Sequence, residues 1–146
     1  MPSTLLIIHS WLRWLVLLAG VFVIFKMTRG YSGGAVYGPA DRRNAAIFVG
    51  LFDLQFLIGL ILYGVSPLIR AAMTNMPAAM QDAHTRFFVA EHPLMMFVAL
   101  CAAHGASIWS RRATVDKAKF MRASLGFSLA IGLVLAGIPW FRMGRS

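Results

Sequence analysis

Four stretches of about twenty predominantly apolar residues dominate this chain, and that is the length a helix needs to cross a bilayer. They run from about Leu5 to Phe25, Ala45 to Val65, Phe87 to Ile108 and Phe120 to Phe141. Hydrophobic residues make up 59% of the 146 residues and charged ones only 13%. A typical soluble domain carries about 25% charged residues, so too little polar material is present to clothe a water-facing surface. Helices facing lipid need none. The expected fold is therefore all-α, a single transmembrane domain over residues 1–146 in which four helices run up-down-up-down as a bundle.

The charges orient the bundle. Of 14 Lys and Arg residues, nine (Lys26, Arg29, Arg42, Arg43, Arg111, Arg112, Lys117, Lys119 and Arg122) flank the first and third connections. Four (Arg70, Arg86, Arg142 and Arg145) belong to the opposite face, and Arg13 lies inside the first span. Basic loops stay cytoplasmic, so both termini are expected on the periplasmic side of a bacterial inner membrane. The start, Met1-Pro2-Ser3-Thr4, lacks the basic region and cleavage site of a signal peptide, so the first span is expected to be retained. The net charge of +9 meets anionic lipid heads; no basic stripe with interleaved aromatics points to nucleic acid. The lone Cys101 reads as a small apolar residue in the third span.

Glycines at 30, 33, 34 and 38, with Pro39, mark the first connection as a loop over Lys26–Asn44. Gly126/Ala130 and Gly132/Ala136 form small-xxx-small pairs for close helix packing, and Gly50, Gly59 and Gly64 offer the same in the second span. Trp11, Trp14, Trp109 and Trp140 read as an interfacial belt.

The informative residues are polar groups within apolar segments, each costing a few kcal/mol unless paired or facing a cavity. The first span holds His9 and Arg13, one turn apart; the second, Asp53 and Gln55; the third, Arg86, Glu91-His92-Pro93 and His104; the fourth ends Pro139-Trp140-Phe141-Arg142. At about 1.5 Å per residue, His9 and His92 both lie roughly 7–9 Å inside the outer boundary, on different helices. Arg13, Gln55 and Glu91 share that outer half, whereas His104 lies far deeper.

Two imidazoles at one depth on two helices are what a b-type haem in a bundle requires, with small residues for clearance and cations (Arg13, Arg86 or Arg142) for its propionates. The plainer reading is that these groups satisfy one another beside a wet interface, with arginines snorkelling. A second haem is disfavoured: His104 sits about 120° around the helix from His92 and has no histidine at its depth. A hydrogen bond to a neighbouring helix suits His104 better, and Asp53 is a candidate for that contact or for a proton relay. Pro93 either frees the Val89 carbonyl and kinks the third span, or begins its helix with His92 as cap. In the 66–85 connection, Met73, Met76, Met80 and His84 suggest a Cu(I) site, but an interfacial amphipathic helix is preferred.

The strings His9-Ser-Trp-Leu-Arg13-Trp, Asp53-Leu-Gln55-Phe-Leu-Ile-Gly59-Leu-Ile-Leu-Tyr63, Arg86-Phe-Phe-Val-Ala-Glu91-His92-Pro93 and Ile138-Pro139-Trp140 together span nearly the whole chain. In these the sequence resembles a family of small four-helix bacterial membrane proteins commonly labelled "cytochrome b". The resemblance implies a four-helix membrane protein and haem b. Three functions are weighed. The first is an electron-transfer protein with one haem on His9 and His92, serving a quinone or a periplasmic electron carrier as a subunit of a larger redox complex. The second is a cofactor-free accessory subunit of a respiratory or photosynthetic complex; in the latter, His104 or His92 offers a chlorophyll ligand. The last is an enzyme on quinone or lipid using Glu91, His92 and Arg13, though the chain is not expected to be an enzyme on its own.

Overall fold

Every regular element is helical in the computed structural model, which describes residues 2–143. Met1 and residues 144–146, with Arg145 among them, lie outside the described residues. Four long helices, α1 (Pro2–Ser32), α2 (Pro39–Val65), α6 (His92–Arg111) and α7 (Asp116–Gly137), form the bundle. Between α2 and α6 come the short helices α3 (Pro67–Thr74), α4 (Met76–Gln81) and α5 (Ala83–Arg86). A π-helical turn at Phe87–Glu91 then joins α5 to α6, making one continuous rod, and α8 (Trp140–Met143) follows α7. Four segments are each long and apolar enough to cross a membrane. Large apolar side chains such as Leu18, Leu60, Leu94 and Leu129 face outward from every one of them. The chain is a multi-pass membrane protein.

Helix ends follow local chemistry more closely than hydropathy does. The first helix runs on to Ser32, beyond the expected end at Phe25, because Gly30 is no breaker. Gly30 sits against the Phe120 ring, where a Cβ would overlap it. The stop comes at Gly34, whose φ of +63° suits glycine alone, with Ala35 N–H closing onto the Gly30 carbonyl at 3.1 Å. The next helix starts at Pro39 rather than Ala45: proline fits the first helical position, and the Asp41 carboxylate accepts from Gly38 N–H at 2.9 Å. The fourth span ends as a helix at Gly137 rather than Phe141. Ile138, preceding Pro139, is extended, as the residue before proline prefers.

The bundle is a closed ring in which α1 packs on α2, α2 on α6, α6 on α7 and α7 on α1. Helices α1 and α6 are therefore diagonal. Phe48, Phe52, Phe120 and Phe127, with Met27, Val16 and Val23, fill most of the interior from the basic-loop end to the middle. Gly126 lets α7 approach α6 so closely that a Cβ would overlap that of Ala106. Gly132, Gly50 and Gly64 do not serve in this way, since a Cβ on any of them would meet nothing within 4 Å. The 66–85 connection, expected as one interfacial helix, is three short ones, α3, α4 and the start of α5. Asn75 interrupts it, capping α4 by accepting from Ala78 N–H at 3.3 Å. Ile69, Ala72 and Ala79 turn inward onto Val89, with Tyr63, Met76 and Phe88 beside them. This small cluster packs beside the outer ends of α2 and the π turn.

A candidate site between diagonal histidines

At the terminal end the apolar interior gives way to polar groups. Gln55, buried on α2, donates from Nε2 to the His9 carbonyl at 3.0 Å, and the same nitrogen lies 3.4 Å from His9 Nε2. One turn further on, Gly59 leaves room for the imidazole itself: a Cβ there would stand 3.2 Å from His9 Cε1. Gln55 and Gly59 together seat the His9 ring. Three buried polar atoms in this corner, His9 Nδ1, Arg13 Nε and Gln55 Oε1, have no hydrogen-bond partner among the described residues. Buried polar atoms are nearly always paired, so these three are available to a further polar partner.

Two proline effects position His92. Pro93 has no N–H to offer the Val89 carbonyl one turn back. The backbone widens into the π turn, His92 N–H reaches the Phe87 carbonyl, and the Tyr63 hydroxyl donates to Val89 O at 2.9 Å. The break expected at His92 is real, and it is a local widening within a continuous helix. The second effect comes from Pro139. Where α7 ends, its last carbonyls lack helical donors. His92 Nδ1 meets one of them, Gly137 O, at 2.7 Å. A carbonyl only accepts, so Nδ1 carries the proton and Nε2 keeps its lone pair.

The two imidazole rings lie edge to face between α1 and α6, with ring centres 6.4 Å apart and planes at 77°. Phe87 and Phe88 pack beside His92, and Phe141 stacks edge-on against both of them. The other predicted residues divide between this site and elsewhere. Arg13 lies beside His9, its guanidinium 5.3 Å from the Trp14 ring centre. Arg142 lies over Phe88 at 5.4 Å. Arg86 is already engaged, bonding Glu91 Oε1 at 2.8 Å and the Met80 carbonyl at 3.1 Å. His104 and Asp53 form a separate pair, Nε2 to Oδ1 at 2.6 Å, toward the basic end. Met73 and Met80 are exposed, Met76 packs inward beside Phe88, and His84 lies edge-on against Phe88 and Phe141.

Gly59, Tyr63 and Gly137 were not singled out as site residues by sequence reasoning. A tyrosine inside an apolar span needs a partner for its hydroxyl, and Pro93 leaves a carbonyl wanting a donor; pairing those two needs was the available signal. No protein-family model, curated protein or solved structure matches the chain.

Proposed function

We propose that the chain is a membrane electron-transfer protein holding one b-type haem between His9 and His92, near the periplasmic face of a bacterial inner membrane. The observation that carries this reading is the 6.4 Å between ring centres. Metal–imidazole bonds of about 2.0–2.1 Å, plus about 1.2 Å from each ring nitrogen to its ring centre, give about 6.4–6.6 Å for two imidazoles on one metal. The donor set supports it as well. Ligating histidines hold their second ring nitrogen on a carbonyl or carboxylate, and Gly137 O does this for His92. Arg13, whose buried Nε has no hydrogen-bond partner among the described residues, and Arg142 past the end of α7 are the cations available to anionic propionates. Arg86 is satisfied by Glu91 and is not needed for that role.

A haem held by His9 and His92 would supply one-electron exchange, tuned by the residues that hold it and by its burial. The chain's own residues orient and shield. Gln55 and Gly59 fix His9, Gly137 fixes His92, and the Phe87–Phe88–Phe141 cluster keeps water from the His92 side. These aromatic rings must swing aside to admit the edge of a macrocycle. Their close mutual packing is the observation favouring the second reading, a cofactor-free accessory subunit of a respiratory or photosynthetic complex. In the first reading the protein serves a quinol or a periplasmic carrier from within a larger redox complex.

The test is a visible absorption spectrum of the purified protein, expressed with ample haem. The expected result is a Soret band and sharp reduced-state bands, lost in both His9→Ala and His92→Ala. A folded, colourless wild-type protein would refute the haem reading and favour the accessory one.

A further inference from the structure

Asp53 on α2 and His104 on α6 lie within apolar stretches yet turn outward. Counting about 1.5 Å per residue, Asp53 is about 12 Å inside Ala45 and His104 about 6 Å inside Ile108. Their side chains remain 47% and 49% exposed. Ionisable groups at such depths almost always face protein or a watery cavity, because exposure to hydrocarbon costs each of them several kcal/mol. Apart from their mutual contact, neither side chain makes another hydrogen bond among the described residues. Helices α2 and α6 also pack together less extensively than the other neighbouring pairs of the ring.

We infer that this α2–α6 face docks a second copy of the chain, with the two Asp53–His104 pairs joined across a twofold axis normal to the membrane. The symmetry supplies the argument for that occupant. Such an axis sets each residue against the partner's residues at the same depth, so this pair, held together by its 2.6 Å contact, meets its own copy. The pair is also self-complementary. Wherever the proton between Nε2 and Oδ1 resides, His104 Nδ1–H remains a donor and Asp53 Oδ2 an acceptor when one proton is shared. Two copies close two reciprocal hydrogen bonds and leave neither group facing lipid. Gly50, one turn from Asp53, and Gly105, beside His104, are exposed with open space in front of them. Such positions let backbones of separate helices approach closely. This surface is independent of the haem proposal.

Cys101, the chain's single cysteine, is exposed one turn from His104 and reports directly on the contact. Mild oxidation in native membranes is expected to give a covalent species of twice the 16.1 kDa chain mass. A Cys101→Ser/Leu129→Cys chain, with its thiol on the outward face of α7, is expected to give none. Mass measurement in lipid nanodiscs should show a dimer. Asp53→Leu and His104→Leu should each weaken it about tenfold, the product of two lost hydrogen bonds of ordinary membrane strength. The swapped Asp53→His/His104→Asp chain, which retains the donor and acceptor, should restore it. A monomer in nanodiscs, crosslinking through position 129 instead of 101, or Cys101 crosslinking only to another polypeptide would each overturn the inference.

Discussion

Tyr63→Phe removes one oxygen, and with it the donor that satisfies Val89 O at 2.9 Å. An acceptor left unpaired in a protein interior costs about 1–3 kcal/mol, whereas interhelical hydrogen bonds measured within membranes average about 0.6 and reach about 1.7 kcal/mol. Tyr63 is only half-buried, so a loss of about 0.5–1.5 kcal/mol is expected. The carbonyl needs this donor because Pro93 cannot supply one. In a Pro93→Ala background the restored N–H of residue 93 takes over Val89 O, and the cost of Tyr63→Phe should fall close to zero. The assay is a double-mutant cycle over four proteins, unfolded by denaturing detergent in mixed micelles and followed by far-UV circular dichroism. An equal loss in both backgrounds would refute the link between the proline and the tyrosine. So would no loss with Pro93 in place.

Gly126→Ala forces α7 away from the Ala106 backbone, whose Cα would stand 3.1 Å from the new Cβ, and should cost about 1–3 kcal/mol in the same unfolding assay. Gly132→Ala meets open space and should be neutral or stabilising by up to about 1 kcal/mol. Pro139→Ala restores an N–H and lets α7 continue, so that Phe141 N–H competes for Gly137 O; nitrogen NMR should then show His92 losing its fixed Nδ1–H form, and an unchanged tautomer would count against the assignment. Asp82 accepts from both the Thr85 backbone N–H at 2.8 Å and its hydroxyl at 2.5 Å, which holds its carboxyl below the usual aspartate range. A lowered folded pKa means this cap is at full strength above the unfolded aspartate value and is lost as pH falls through the folded one. Thr85 amide protection should accordingly drop in acid, and a pH-independent amide would contradict the capping role.

Hydropathy made the four spans legible because a bilayer demands some twenty apolar residues at each crossing and tolerates few charges. It misplaced their ends, where single residues decide: Pro39 begins a helix, Gly34 stops one, and Ile138 cannot stay helical before Pro139. Counting along the spans also put His9 and His92 at one level. Whether their rings meet depends on how α1 and α6 are rotated about their axes. That rotation is set by packing across the ring of helices and leaves no mark in the spacing of two residues. The seat for His9, formed by Gln55 and Gly59, was hidden for the same reason. Arg86, offered by its charge as a propionate partner, is held instead by Glu91, which is not at a regular helical neighbour spacing and so leaves no sign of the pair in the sequence.

That last pairing follows from the wide turn at Phe87–Glu91. In a regular helix, side chains five positions apart point about 140° away from each other. Arg86 and Glu91 are five apart, and they touch because the intervening backbone takes about an extra residue to come full circle. Shortening the chain by one residue between them would tighten that winding. Everything before it, from α3 to Arg86, would then swing by roughly a quarter turn relative to His92. The direction in which the outer segment meets the bundle is thus governed by a single surplus residue.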